Sequence, residues 1–477
     1  MVRQRVRIHD ADGAELRRGV REIQAEMGVT PEFPPEVEAA AAEAARNPRL
    51  PDLDRTDIPF VTIDPATAQD LDQALHIERD GDGYLVQYAI ADVAAFVTPG
   101  DPVDVEANRR GETLYGAESK VPLHPTVLSE EAASLLPDQV RPALVWSIRV
   151  DAAGEGTDAR VERALVRSRA KLDYDTVQRE VDAGTADEVF RLLREVGELR
   201  MHREAERGGI SLPLPDQEIQ IDGDRWSLSY RCLHPVEEWN AQISLLTGMA
   251  AADLMMYARV GVLRTLPPPD PRDVQRLHRT ARALGIAWPA EQLYPDFIRS
   301  LDPSRAEHAA MVVASTRLLR GSSYVGFSGA VPEQAEHSAL ASEYAHVTAP
   351  LRRLVDRYAS EICVALSADD EVPSWVLERL DELPRTMQSS GQRARQYENA
   401  VVDLVEAEVL RGSVGQTFEG VVVAVDEQDP RSGAAMVQRP AIEAKVTATT
   451  ELPLGKDVPL RLSVADPGSR TVRFELA

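Results

Sequence analysis

The chain has 477 residues, 43% of them apolar and 27% charged, and a formal charge of −25 at pH 7. That length and balance exclude a disordered chain and leave room for two to four domains with a large core. Two cysteines, Cys232 and Cys363, exclude a disulfide framework, and no run of about 18 apolar residues offers a membrane span. The acidic surplus argues against a protein that wraps nucleic acid over its outer surface. It does not exclude a local basic channel, because charge more than about 8–10 Å away is screened. The first five residues lack an apolar signal core, so a cytoplasmic protein without membrane contact is expected.

Residues 1–57 read as helical. Apolar residues recur at helical spacing over 15–27, Gly28 is a stop, and Pro34-Pro35 opens a second helix through Ala45. Helix, short turn, helix is a shape that small nucleic-acid modules share with packing collars; the collar is the preferred reading. From 58 to about 147 the pattern is mainly strands, with Asp80-Gly81-Asp82-Gly83 as a hairpin turn. Residues 174–206 favour helix, 210–230 strand, and 241–262 a long buried helix. Pro267-Pro268-Pro269 is a rigid loop. Helices follow over 273–284, 353–366 and 383–410. The tail from about 412 changes to short β-branched runs with strand glycines, a pattern that suggests a small closed barrel.

One stretch concentrates chemistry. Ile58 to Ile63 is a β-branched run that Pro65 prevents from continuing simply. Asp64, Asp70 and Asp72 sit at the strand end and in the loop after it. Two like charges about 4 Å apart repel by roughly 4 kcal/mol at an effective dielectric near 20. Convergent acids therefore splay into water, take up a proton, or share a cation. Oxygen ligands without nearby cysteine favour Mg²⁺, with Mn²⁺ as the substitute, over zinc.

The string Thr62-Ile63-Asp64 through Asp70-Leu71-Asp72-Gln73-Ala74-Leu75 resembles the signature of the RNB catalytic domain of the ribonuclease II and ribonuclease R family. Further blocks resemble it in order: Tyr88-Ala89-Ile90-Ala91-Asp92-Val93, then Tyr115 with Val121-Pro122-Leu123-His124-Pro125, Val236-Glu237-Glu238, and Thr348-Ala349-Pro350-Leu351-Arg352-Arg353. The resemblance implies an α+β fold in three parts: a helical region over 1–57, an RNB domain with a mixed sheet over 58–411, and an S-one-type OB barrel over 412–477. It implies a monomeric 3′-to-5′ exoribonuclease acting on single-stranded RNA, with nucleoside 5′-monophosphates as products.

The resemblance also assigns residues. Asp64, Asp70, Asp72 and Gln73 would face metal, with two ions bridging the scissile phosphate. Asp72 would position or activate water with Asp70 beside it, and Arg352 would clamp phosphate. Pro350 ahead of it suits a helix first turn. Tyr115 would stack on the terminal base, and Glu238, Arg353 and Glu398 would line the RNA path. Three positions depart from the family pattern: Gln73 replaces a fourth aspartate, Ser244 an asparagine, and Leu212 an aromatic clamp. They keep open an alternative, an RNB-fold protein that binds single-stranded RNA and cuts it weakly or not at all. His346 is read as structural, and His234 has no assigned role.

Overall fold

The computed structural model describes residues 11–117, 120–212, 216–222, 225–231 and 233–477; Cys232 lies outside them. A four-stranded antiparallel sheet anchors the larger part, ordered Gln73–Asp80, Gly83–Ala91, Val140–Val150 and Gly156–Arg167. The hairpin falls where the sequence places it, with Gly81 at φ +61°, a conformation that glycine adopts without a Cβ clash.

Alternation along the strands buries both faces. Leu75, Ile77, Val86, Tyr88, Ile90, Leu144, Trp146 and Ile148 point into one core. Helix Glu188–Arg207 and the central helix Pro235–Ala258 cover it with Phe190, Leu193, Val196, Ile243, Leu246 and Met255. The opposite face is built of small residues, Ala74, Ala89, Ala91, Ala143 and Ala164, and helix Pro35–Arg46 seals it through Val37 and Ala41.

The two N-terminal helices serve different cores. Helix Gly13–Met27 packs Leu16, Val20 and Ile23 with Val401, Leu404 and Val405 of the long helix Leu383–Leu410. A Cβ on Gly19 would lie 2.6 Å from a Leu404 methyl, so a larger residue there would have to turn that side chain aside. Gln24 adds a buried hydrogen bond to the Tyr397 hydroxyl at 3.0 Å. Both N-terminal helices thus bury apolar side chains against the rest of the chain.

The C-terminal strands Thr417–Val425, Ser432–Gln438, Ala441–Thr447, Asp457–Asp466 and Thr471–Leu476 close into a barrel. Phe418 and Phe474 meet edge to face in its interior, so neither offers a surface for base stacking.

Several elements differ from expectation. The central helix starts at Pro235, a favoured first-turn residue, and stops at Ala258. Arg259 turns left-handed at φ +59°, and Val260–Thr265 pairs as a strand with Ser323–Ser328; the β-branched Val260 and Val262 suit that partner. The 174–206 helix is two helices, Tyr174–Asp182 and Glu188–Arg207, parted at Gly184. Helix Pro102–Arg110 lies within the region read as strands, and helices Tyr294–Arg299 and Ala306–Ser315 follow the proline loop. Among the described residues no helix is long and apolar enough to cross a membrane.

Candidate active site

Thr62–Ile63 pairs in parallel with Lys171–Leu172, and the Asp64 amide donates to the Leu172 carbonyl at 3.1 Å. The strand end thus fixes Asp64. The loop that follows is pinned from outside. Ser134 Oγ accepts from the Leu71 amide at 2.9 Å and donates to the Gln69 carbonyl at 2.6 Å, while the Leu135 amide donates to the Leu71 carbonyl at 3.0 Å. Asp72 closes the loop and hands the chain to strand Gln73–Asp80.

The second wall is the turn 348–353. Helix Leu354–Ser367 begins after it, so Pro350 belongs to the turn and not to a helix first turn. The Leu351 amide donates to Asp72 Oδ1 at 2.8 Å, and Arg352 Nε lies 3.5 Å from Asp72 Oδ2. Asp356, wholly buried, holds the turn from beneath. It accepts from the Ala349 amide at 2.7 Å and takes Arg353 in a two-pronged pair at 2.9 and 2.8 Å. The adjacent arginines therefore have different work. Arg353 is committed to an internal ion pair rather than to the RNA path expected for it, whereas the Arg352 side chain is 46% exposed.

The third wall is the strand pair Leu114–Tyr115 and Lys120–Val121, in which Tyr115 is directly opposite Lys120. The Thr113 amide donates to the Arg352 carbonyl at 3.0 Å, which ties this wall to the turn. Tyr115 is 39% exposed and lies against the Arg352 guanidinium. Lys120 Nζ stands 3.0 Å from Asp70 Oδ1 and 2.8 Å from Glu130 Oε1.

Gln73 is held at both ends. Its Nε2 donates to the Thr348 carbonyl, and its Oε1 accepts from the Tyr88 hydroxyl at 3.1 Å. Thr348 Oγ1 also shares a hydrogen bond with Ser244 Oγ at 2.8 Å. Two of the three departures from the family pattern thus meet on one threonine. Leu212 packs at the edge of an apolar cluster of helices 271–318 and barrel residues Val421 and Val423.

Burial dominates the electrostatics. It pushes Asp72 up to about 8, against the opposing pull of Arg352 and the Leu351 amide. It pushes Asp64 up to about 6, again offset by Arg352. Asp70 adds to both as a neighbouring negative charge.

The expected four-residue metal cage is not drawn together. Among the described residues no three His, Cys, Asp or Glu side chains gather closely enough to hold a metal ion. Asp70 turns to Lys120, and Gln73 is engaged by Tyr88 and Thr348. Asp64 and Asp72 remain, two hard carboxylates that share Arg352 as a charged neighbour. That donor set fits Mg²⁺ or Mn²⁺, which commonly take one or two protein carboxylates and complete their shell with water and substrate phosphate.

Other expected residues stand apart. Glu238 is exposed on the central helix with Glu204 and Glu237 as its charged neighbours. Glu398 is exposed on the long helix near Arg395 and Glu112. His346 is buried and hydrogen-bonded to the Tyr324 hydroxyl at 2.7 Å, a structural histidine. His234 precedes the central helix, its amide donating to Glu237 at 2.8 Å and its ring contacting Asp175 at 2.7 Å. Lys120, Asp356, Tyr88 and Ser134 were not legible as site residues, because each acts across 15 or more positions of sequence or through a backbone contact; Asp356, three residues from Arg353, carries an i,i+3 signal.

A sheet-based domain with an acid-rich strand end facing an arginine turn, followed by a five-stranded barrel, defines the class. The RNB domain family matches residues 53–367, and the RNase II-type exonuclease C-terminal S1 domain matches residues 416–477. The chain belongs to the RNB-domain family. It is 26% identical over 408 residues to ribonuclease R of Chlamydia trachomatis, covering 82% of this chain and 57% of that protein. It is 26% identical over 397 residues to ribonuclease R of Escherichia coli, covering 78% and 48%. The chain spans about half the length of the curated relatives it matches. Mycoplasma genitalium RNase R, solved with ribose-methylated single-stranded RNA, superposes with a TM-score of 0.85 at 20% identity over 97% of this chain and 78% of that one. Yeast Ssd1, described as a pseudonuclease, superposes at 0.66 with 16% identity over 88% and 52%. At these identities the solved structures establish the fold.

Proposed function

We propose that this chain is a 3′-to-5′ exoribonuclease that hydrolyses single-stranded RNA to nucleoside 5′-monophosphates with the help of Mg²⁺ or Mn²⁺. The observation that carries the reading is the half-exposed Arg352 guanidinium, set between Tyr115 and the buried carboxyl of Asp72. The similarity to ribonucleases R, one of them solved with RNA, supports it.

In this reading Asp64 and Asp72 hold the divalent cation, which supplies positive charge where the phosphoryl oxygens gain negative charge. Arg352 orients the scissile phosphate by paired N–H donors, as guanidinium geometry favours. Tyr115 stacks on the terminal base; such contacts are worth about 1–3 kcal/mol and tolerate any sequence. Asp72 Oδ2, on the side of the carboxyl that faces Arg352, positions the attacking water and takes its proton.

The test is incubation of the full chain with 5′-labelled RNA and either ion. Progressive shortening with mononucleotide release is expected, and Asp72→Asn should abolish release while RNA affinity stays nearly unchanged. RNA left intact with both ions would instead favour a binding protein, and undiminished turnover by Asp72→Asn would remove that residue from the chemistry.

A further inference from the structure

We propose that Lys120 is a resident cation of this site: its ammonium stands in for one of the two divalent ions that the acid string invites, so that the chain takes up a single ion on Asp64 and Asp72. The inference rests on the metal-assisted reading above.

Lys120 is built into its place. Its backbone pairs with Tyr115 across the two-stranded hairpin, and its ammonium lies between Asp70 and Glu130 at 3.0 and 2.8 Å. All three side chains are three-quarters or more buried, so this is not the solvent-screened surface pair that contributes little. An ammonium has three donors and no acceptor, and here it faces two carboxylates, Asp70 from the acid-rich loop and Glu130 from the helical turn Val127–Ala132. A divalent ion on Asp70 would lie close to this ammonium and be repelled by it.

Gln73 points the same way. Its carboxamide brings no charge, and both of its ends are engaged, by the Thr348 carbonyl and the Tyr88 hydroxyl. Of the four positions in the string, Asp64 and Asp72 are the two carboxylates not in direct contact with a lysine: Asp72 takes the Leu351 amide on Oδ1 and has Arg352 3.5 Å from Oδ2, and Asp64 has Arg352 and Lys171 as its charged neighbours.

The experiment titrates metal-stripped full-length chain with Mn²⁺ alone, counting bound ions by the loss of the free-ion spin-resonance signal. One ion per wild-type chain is expected. Lys120→Gln should bind two, and Lys120→Arg, which keeps the charge, should stay at one. Asp64→Asn should weaken uptake by the wild-type site more than tenfold, and Asp70→Asn less than threefold. Two ions or none on the wild type, or a folded Lys120→Gln chain still at one, would overturn the proposal; the wild-type count decides even if that variant fails to fold. The nuclease reading is judged separately by RNA shortening. One bound ion with intact RNA sinks the nuclease and keeps the role of Lys120, whereas two bound ions with shortened RNA does the reverse.

Discussion

Replacing Asp356 by asparagine tests whether the two neighbouring arginines have separate duties. Asp356 is 0% exposed and holds Arg353 by bonds of 2.9 and 2.8 Å, while its Oδ1 also accepts from the Ala349 amide at 2.7 Å. Asparagine keeps one acceptor but removes the charge and turns an NH₂ group toward the guanidinium. Arginine cannot release its proton in a protein, so its charge is left buried and unpaired. Breaking one side of a buried ion pair costs about 3–5 kcal/mol. Arg352 is the contrast: its contact with Asp72 is 3.5 Å long and its side chain is half-exposed, so Arg352→Met should cost no more than about 1 kcal/mol. In urea unfolding followed by the fluorescence of buried tryptophans such as Trp146, a slope of about 3 kcal/mol per molar turns the Asp356→Asn cost into a midpoint lower by roughly 1–1.7 M. RNA binding should show the opposite ranking, with Arg352→Met the damaging change. If Asp356→Asn moves the midpoint no further than Arg352→Met does, Arg353 is not held as argued and its release to RNA must be reconsidered.

Tyr115→Ala should weaken binding of a 3′-terminal nucleotide by roughly 5- to 150-fold, the equivalent of about 1–3 kcal/mol, in a fluorescence titration; an unchanged affinity would make Tyr115 a wall residue only. Glu406 gives a pH signature away from the site. It is buried at the contact of the long helix with the barrel and accepts from Gln217 at 2.7 Å, and burial pushes it up to about 7 from an ordinary 4.5. The folded state therefore binds the proton more tightly, so the contribution is full below about pH 4.5 and is lost as pH rises through 7. Glu406→Gln should stabilise the chain by about 3 kcal/mol at pH 8.5, from 2.5 pH units at 1.36 kcal/mol each, and hardly at all at pH 4; an equal effect at both would refute the burial argument.

Much of this molecule is legible in its sequence because local signals agree with the tertiary outcome. The Asp-Gly hairpin, the proline helix starts and the strand-ending Asp64-Pro65 are each set by steric rules that act over a few residues. Helix Pro102–Arg110 had such a signal too: Asp101 accepts from the Asp104 amide at 2.7 Å, with Pro102 in the first turn, a capping pattern hidden inside a region dominated by strands. What is not legible is which charges meet. Lys120 stands 50 positions from Asp70, and Arg357 finds Asp104 at 2.6 Å across 253. The acidic total likewise conceals an interior rich in arginine, where Arg163, Arg353 and Arg357 are each matched to a buried acid. Net charge describes the outer surface, and the site depends on pairings that composition averages away.

Gln73 and Ser244 look independent in the sequence, 171 positions apart, yet the structure joins them through one residue. Both grip Thr348, the first residue of the turn that presents Arg352: Gln73 through the carbonyl, Ser244 through the hydroxyl. A carboxylate at 73 has no hydrogen to give the Thr348 carbonyl, and in this enclosed place an acceptor left without a donor costs about 1–3 kcal/mol. It would also add a negative charge beside Asp72, whose proton affinity burial already raises. The amide avoids both penalties, and Lys120 offsets the charge on Asp70. The side chains at 73 and 244 thus spend their polar groups on hydrogen bonds to the turn that sets Arg352 beside Asp72.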